Sequence, residues 1–305
     1  MTAGGKVFLA GLVIAGGGAM VLAAGSRFPT SLAAARANPA TGPLAAGIAL
    51  GVLGCFLYVL QPAFDAATAQ RTPFATLRTS LAMLVAALVT ANLISLPVVA
   101  AQQRGVAAAG QGGPTLGPLG LAYVIAASEL PILAVVWLRL VRPGCLSWRE
   151  LGLRPQPLGD HLRRGLLGGV ALFLAAAIVG AALTRFGIRQ NQFERFEGIE
   201  GAPPGLFLLA AAAGCILAPL AEELFFRGYI FQTFSRRYGA LWAYLFSAGL
   251  FAIVHANLAA AVPVFVLGLM LARIFQTSGS VLPGIVAHGV NNAIAFALLY
   301  SGIRG

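Results

Sequence analysis

Charged side chains are scarce in this sequence of 305 residues: they make up 10% of it, whereas hydrophobic residues make up 59%. Acids are the scarcest, because Asp and Glu together number nine. So little charge is far outside the range of water-soluble proteins, and the mean hydropathy of +0.86 is typical of a membrane protein. We therefore predict an all-α fold, a polytopic transmembrane helical bundle of about eight to nine spans.

Cysteine and lysine are also rare, and the shortage of cysteine excludes two kinds of site. Three scattered cysteines are too few for a disulfide framework or a cysteine zinc cluster. The net charge of +11 does not require a nucleic-acid partner, because the basic residues cluster between hydrophobic runs, where the positive-inside rule places them. Membrane lipid is the expected surrounding partner. Nearly all basic residues are arginine in a chain rich in Ala, Gly and Leu, which indicates a GC-rich bacterial genome and a location in the bacterial inner membrane.

Hydrophobic segments fill most of the chain. Nine are recognisable: residues 7–24, 44–60, 81–101, 116–138, 166–183, 206–234, 241–255, 262–275 and 281–300. The segment over residues 139–164 carries six arginines, which predicts a cytoplasmic connection between the fourth and fifth spans and, by counting spans, a cytoplasmic N-terminus. Glycines are so frequent that the small-residue pair Gly47 and Gly51 is attributed to chance.

The sequence motifs divide the chain into two parts. Residues 1–140 hold transmembrane segments without a recognised motif, and residues 141–305 hold every motif discussed below. Glu129 lies two residues before Pro131 in the fourth segment. We expect it to have a structural role, bonded to a neighbour or to backbone freed by the proline, although a buried acid in a membrane span is also a functional candidate.

Two adjacent acids, Glu222 and Glu223, lie inside an otherwise apolar run. An ionisable group at membrane depth costs roughly 2.5 to 3.5 kcal/mol on insertion scales, so it is usually partnered or functional. Glu223 and Arg227 are four residues apart with the acid first, which predicts an ion pair on one helix face. Glu222 points about 100° away around the helix and is left unpaired, as a general base requires.

Two later segments repeat the four-residue spacing. Phe251 and His255 form one pair, and His288 and Asn292 form the other. Taken singly, each polar residue is more simply explained by hydrogen bonding between helices. The order Glu-Glu-x-x-x-Arg, Phe-x-x-x-His and His-x-x-x-Asn on successive hydrophobic segments favours a shared site.

These residues resemble the CPBP intramembrane endopeptidases, the group of CAAX prenyl protease 2 and the Abi bacteriocin-immunity proteins. A softer match is Ser-Trp-Arg-Glu-Leu-Gly-Leu-Arg-Pro at residues 147–155. The resemblance implies an endopeptidase in which Glu222 is the base and later the acid, and His255 helps to hold the water. It also implies that His288 and Asn292 donate to the oxyanion. Glu223, Arg227 and Phe251 would support the site.

The sequence also bears on the cofactor, on two alternative functions and on the substrate. The favoured mechanism needs no cofactor; the alternative is a zinc hydrolase using two histidines and a glutamate, although the His-Glu-x-x-His signature is absent. A non-catalytic binding or transport protein with a proton relay is the second alternative. The substrate is expected to be a membrane-associated or secreted peptide or protein, and a prenylated CAAX protein is not expected in a bacterium.

The geometry of the spans leaves one conflict. The segment that carries Glu222 is too long for a straight crossing, so we expect it to tilt, protrude or break near Pro219. Counting along the spans also places Glu222 and His288 nearer the inner leaflet than His255. A shortened or re-entrant seventh segment would remove that conflict.

Overall fold

The protein is described by a computed structural model over residues 3–24, 41–64, 77–109, 117–155, 157–188, 199–255 and 258–302. Within these ranges every regular element is helical, so the predicted all-α membrane fold is confirmed. The helices are α1 (Ala3–Ala24), α2 (Thr41–Phe64), α3 (Leu77–Ala109), α4 (Pro118–Val141), α5 (Leu158–Arg185), α6 (Pro204–Tyr238), α7 (Ala240–Val254), α8 (Leu258–Ser278) and α9 (Leu282–Tyr300).

Five of these helices are long and apolar enough to cross a membrane, namely α4, α5, α6, α8 and α9. Each of the nine hydrophobic segments coincides with a helix, but the predicted number of spans is not thereby established. The seventh helix, Ala240–Val254, has 15 residues. At 1.5 Å per residue it is about 22 Å long, shorter than the roughly 30 Å hydrocarbon core. A shortened seventh segment is one of the two ways in which we expected the conflict over His255 to be removed.

The chain divides into two compact units, Met1–Val89 with Trp137–Cys145, and Thr90–Val136 with Leu146–Gly305. In the first unit, α1 and α2 pack closely along glycines. A Cβ atom on Gly47 would collide with the backbone of Ala15, and one on Gly11 would collide with Gly51. The pair that we attributed to chance therefore lies in a helix contact. The motif-based division at residue 140 stays a prediction.

In the second unit, α5 and α9 approach each other through glycines spaced four residues apart. A Cβ atom on Gly165 would lie 2.5 Å from Val286 Cβ, and one on Gly169 would lie 2.5 Å from Val290 Cβ. Lipid tails are as apolar as the side chains, so the hydrophobic effect does not drive helices together in a membrane. Close helix contacts there depend on the tight packing that small residues allow. These close contacts at Gly165 and Gly169 hold α9, which carries His288, against α5.

The 35-residue helix α6 is the element around which the site is built. At 1.5 Å per residue it is about 52 Å long. It does not break at Pro219, where the structure keeps helical geometry. Instead, its hydrogen-bond ladder widens to π-helical pairing at Ala213–Leu217 and again at Glu223–Phe231. Such π-helical segments absorb a local irregularity and are frequent at functional sites.

The Ser147–Pro155 loop docks onto α6 and onto the turn between α8 and α9. Gln232 Nε2 donates to the Glu150 carbonyl at 2.9 Å, and the Val281 N–H donates to the Gly152 carbonyl at 2.9 Å. Gly152 has a φ of +89°, a left-handed conformation that favours glycine. A Cβ on Gly228 would collide with the Leu151 carbonyl oxygen. The softer sequence match therefore corresponds to a loop that fixes the position of α6.

Candidate active site

Glu223 and Arg227 form the ion pair that their spacing predicts. Arg227 Nη1 donates to Glu223 Oε1 at 2.7 Å, and both side chains are 0% exposed. Arg227 Nη2 donates to the Gly268 carbonyl of α8 at 3.1 Å, and its guanidinium lies 4.5 Å from the centre of the Phe251 ring. Because a buried charge needs a partner, these contacts fix α6 against α7 and α8. Arg227 Nε and Glu223 Oε2 have no hydrogen-bond partner among the described residues.

His288 lies against both glutamates. Its Nε2 is 3.6 Å from Glu222 Oε2, and its Nδ1 is 3.4 Å from Glu223 Oε1. The imidazole is buried, and the Phe251 ring meets it edge to face with centroids 5.8 Å apart. Since Arg227 neutralises Glu223, Glu222 is the glutamate without a cationic partner of its own in this cluster.

Glycine makes room for this cluster on α9. A Cβ on Gly284 would lie 2.9 Å from Glu223 Oε2, the oxygen that Arg227 does not bind. Sequence reasoning missed Gly284. The sequence feature that could have identified Gly284 is its position one helical turn before His288 in α9.

His255 follows the last residue of α7 and has an exposed side chain. Its Nδ1 is 2.7 Å from the Phe251 carbonyl oxygen. A carbonyl oxygen only accepts, so Nδ1 carries the proton of this bond and the neutral ring keeps Nε2 as an acceptor. The Phe251 ring touches the His255 ring, with centroids 4.7 Å apart. Phe251 thus contacts both histidines, while no hydrogen bond or ion pair among the described residues joins His255 to Glu222.

Asn292 makes a contact that its sequence motif did not predict. Its Nδ2 donates to the Gly214 carbonyl of α6 at 2.8 Å. Proline has no N–H, and in the π-helical register of Ala213–Leu217 the missing N–H of Pro219 would have bonded Gly214. Asn292 therefore satisfies a carbonyl that the proline leaves unpaired. An amide nitrogen carries two N–H groups, so a second donor remains.

Glu129 also belongs to this part of the structure. Glu129 is 7% exposed, and its helix α4 packs against α6 at Ala218–Glu222 and at Glu223–Phe231. We expected Glu129 to bond a neighbour or the backbone freed by Pro131. Its Oε2 atom makes neither bond, because it is buried without a hydrogen-bond partner among the described residues.

A metal centre and a surface cavity are the other candidate sites. In the described ranges, no three His, Cys, Asp or Glu side chains are arranged to hold a metal ion. A cavity of about 230 Å³ lies beside the Ser147–Pro155 loop, lined in part by Glu150, Arg154 and Arg236. It contains none of the predicted site residues, and the buried cluster around Glu222 is the better candidate because its polar groups converge at membrane depth.

The fold and the cluster define a helical membrane protein with a buried carboxylate and histidine site. Residues 204–294 match the family model described as type II CAAX prenyl endopeptidase Rce1-like. This match confirms the resemblance drawn from the motifs and supports membrane-embedded endopeptidase activity. No curated protein and no solved structure matches the chain.

Proposed function

We propose that this protein is an intramembrane endopeptidase in which Glu222 activates a water molecule for attack on a peptide bond. The observation that supports this role is the position of His288 within 3.6 Å of Glu222 and 3.4 Å of Glu223. Arg227 holds Glu223 in an ion pair. Glu222 is therefore the carboxylate available to accept a proton.

The proposed reaction uses Glu222 twice. Glu222 takes a proton from water while the water oxygen attacks the carbonyl carbon, and His255 Nε2 accepts a hydrogen bond from the same water. An N–H of His288 and the second N–H of Asn292 stabilise the oxyanion. Glu222 then gives its proton to the amide nitrogen, the C–N bond breaks, and the products are a carboxylic acid and an amine.

The test of Glu222 is Glu222→Gln, which keeps the shape of the side chain and removes its ability to take a proton. We expect cleavage to be abolished and the folded protein to remain. Purified protein in detergent would be assayed with a peptide library and with quenched fluorescent peptides ending in Cys-aliphatic-aliphatic-X. Glu150→Gln, the same change at an exposed glutamate outside the cluster, is the matched control. Near-normal turnover in Glu222→Gln would overturn the assignment.

The same assay separates the two other functions. A zinc hydrolase would contain stoichiometric metal by elemental analysis and would lose activity to a chelator, with recovery on adding zinc back. We expect activity to survive the chelator. A binding or transport protein would cut no peptide under any of these conditions.

We further propose that the substrate is a membrane-associated or secreted peptide or protein and that the enzyme resides in the bacterial inner membrane with a cytoplasmic N-terminus. The arginine-rich segment over residues 139–164, which includes the connection between α4 and α5, supports this orientation. Fluorescent peptides with and without a prenyl group on the cysteine would be compared at equal concentration. We expect cleavage that does not depend on the prenyl group, and strict dependence on it would contradict this part of the proposal.

A further inference from the structure

The cavity beside the Ser147–Pro155 loop takes no part in the proposed reaction. It has a volume of about 230 Å³ and lies where this loop meets α6 and the end of α8. Its polar side chains come from all three elements and are Glu150, Arg154, Gln232, Ser235, Arg236 and Gln276. Two buried rings, Phe231 and Phe275, complete the lining. A concave site that combines apolar rings with a few converging polar groups is typical of ligand binding.

The backbone that carries Arg154 is fixed by contacts that reach across the fold. The Ser280 hydroxyl donates to the Arg154 carbonyl at 3.0 Å. Arg154 Nε donates to the Arg149 carbonyl at 3.3 Å. A Cβ on Gly279 would lie 3.8 Å from Arg154 Nη1, so the guanidinium lies beside the residue that follows α8. The guanidinium is therefore held at the edge of the cavity before any ligand enters.

Hydrogen-bond donors remain available on two of the lining side chains. Arg154 makes no ion pair in the described part of the chain, and its Nη groups keep their N–H bonds. Gln276 Oε1 accepts from the Tyr244 hydroxyl at 2.7 Å and from Arg273 Nη1 at 3.2 Å. Because an arginine only donates, these bonds fix the amide oxygen, and Gln276 Nε2 keeps its two N–H groups for a ligand. Phosphate oxygens are acceptors that fit such donors.

The charge of the lining favours a ligand with one negative charge. Arg154 and Arg236 bring two positive charges to the cavity, and Glu150 brings one negative charge. Glu150 Oε2 accepts from the N–H and the hydroxyl of Ser147, each at 2.8 Å. Its other oxygen, Oε1, is left to accept from a hydroxyl group of a ligand. A phosphodiester with hydroxyl groups nearby therefore matches both the charge and the hydrogen bonding of this lining.

The surroundings of the cavity are those of a membrane surface. Trp and Tyr side chains are enriched where a membrane meets water. Three exposed ones adjoin the cavity along the chain: Trp148 in the loop, Tyr238 at the end of α6 and Trp242 in the first turn of α7. The bond from Tyr244 to Gln276 places the start of α7 beside the cavity, and Leu241 there is exposed. An apolar surface next to a cationic cavity suits a molecule that has both acyl chains and a phosphate.

We propose that this cavity binds the head group of an anionic phospholipid. The phosphodiester lies against the Nη groups of Arg154 and Gln276 Nε2, and a head-group hydroxyl donates to Glu150 Oε1. The acyl chains lie along the exposed start of α7. Because the lipid contacts the loop, α6 and α8 together, its binding stabilises the docking of the loop on α6. This site is separate from the cluster around Glu222, and its occupancy does not depend on the proposed reaction.

Native mass spectrometry of the full chain in detergent measures lipid binding directly. Protein stripped of lipid would be titrated with phosphatidylglycerol and with phosphatidylcholine of the same acyl chains. We expect one phosphatidylglycerol to bind per chain at concentrations at which phosphatidylcholine does not. Arg154→Gln should weaken this binding roughly tenfold or more, as expected for losing a hydrogen bond between charged groups. Arg149→Gln removes the same charge from the same loop but outside the lining, and it should bind like the wild type.

A second variant tests the donors without removing a positive charge. Gln276→Glu keeps an acceptor oxygen for Tyr244 and Arg273 but replaces the two N–H groups by a second carboxylate oxygen. In lipid-free detergent, Tm should be close to the wild-type value in all three variants. Added phosphatidylglycerol should raise Tm in the wild type and in Arg149→Gln, because a ligand that binds only the folded state stabilises it. It should not raise Tm in Arg154→Gln or in Gln276→Glu.

Three results would contradict the proposal. An equal rise in Tm with glycerol 3-phosphate, which has no acyl chains, would assign the cavity to a free phosphate compound instead of a lipid. Equal binding of the two lipids, or equal loss of binding in Arg149→Gln and Arg154→Gln, would mean general attraction to an arginine-rich surface. Absence of bound phosphatidylglycerol in the wild type would remove the site altogether. Lipid binding is measured without a peptide, so a protein that binds the lipid and cuts nothing would refute only the proposed endopeptidase function.

Discussion

Replacing Arg227 by methionine gives the sharpest test of the buried ion pair. Methionine keeps a long side chain in the space under the Phe251 ring but removes the charge. Glu223, whose side chain is 0% exposed, would lose its partner at 2.7 Å. The Gly268 carbonyl would lose a donor at 3.1 Å. The substitution therefore strands one buried charge and one buried acceptor.

The two losses set the expected magnitude. Removing one partner of a buried ion pair costs about 3 to 5 kcal/mol, because the other charge is left uncompensated. An unsatisfied buried carbonyl costs about 1 to 3 kcal/mol. Adding Glu223→Gln removes the stranded charge but leaves Gly268 unpaired. We therefore expect Arg227→Met to lower the free energy of unfolding by at least about 3 kcal/mol, and the double variant to recover about 2 kcal/mol or more.

Thermal unfolding of the purified protein in detergent measures this directly. A loss of this size should lower Tm by on the order of 10 °C, and the double variant should regain a large part of it. Arg236→Met, the same change at an exposed arginine of α6, is the control and should leave Tm nearly unchanged. A double variant as unstable as Arg227→Met alone would refute the reasoning, because no stranded charge would then explain the loss.

Two further predictions concern Asn292 and Glu150. Asn292→Ala should lower kcat by roughly 10²- to 10³-fold with little change in KM, and it should also lower stability by about 1 to 3 kcal/mol because it frees the Gly214 carbonyl. Asn291→Ala removes only a bond to Asn292 Oδ1 and should keep most activity; an Asn292→Ala variant that loses stability but keeps kcat would make Asn292 purely structural. At Glu150, hydrogen bonds from the backbone N–H and the hydroxyl of Ser147 lower the pKa of the carboxyl group. The ionised Glu150 side chain therefore stabilises the folded protein at any pH above its pKa in the unfolded chain. This stabilisation is lost as the pH falls through its pKa in the folded protein. Wild type and Glu150→Gln should therefore differ by less than about 1 kcal/mol in the free energy of unfolding at pH 7, with a correspondingly small difference in Tm. Both differences should vanish in acid. A difference in Tm that grows on acidification would contradict the lowered pKa of Glu150.

Several features of this protein follow from the sequence because they depend on one helix at a time. Long apolar runs predict helices in a bilayer, since only internal hydrogen bonding satisfies the backbone there. The pairing of Glu223 with Arg227 follows from the angle between residues four apart, and the structure places their atoms 2.7 Å apart. The shortness of the seventh helix follows from its count of apolar residues.

Other features depend on which faces of different helices meet, and spacing along one chain does not fix that. Tertiary packing buries Glu129 and places its helix against the α6 segment Ala218–Glu222, although 93 positions separate Glu129 from Glu222 in the sequence. Packing also directs Asn292 toward Gly214, because the carbonyl that Pro219 leaves unpaired lies opposite α9. The sequence alone determined the helices, the family resemblance and the local ion pair. Only the tertiary structure decided which buried side chains share a site, because the rotation and position of each helix are set by contacts such as Gly165 with Val286 and Gly284 with Glu223.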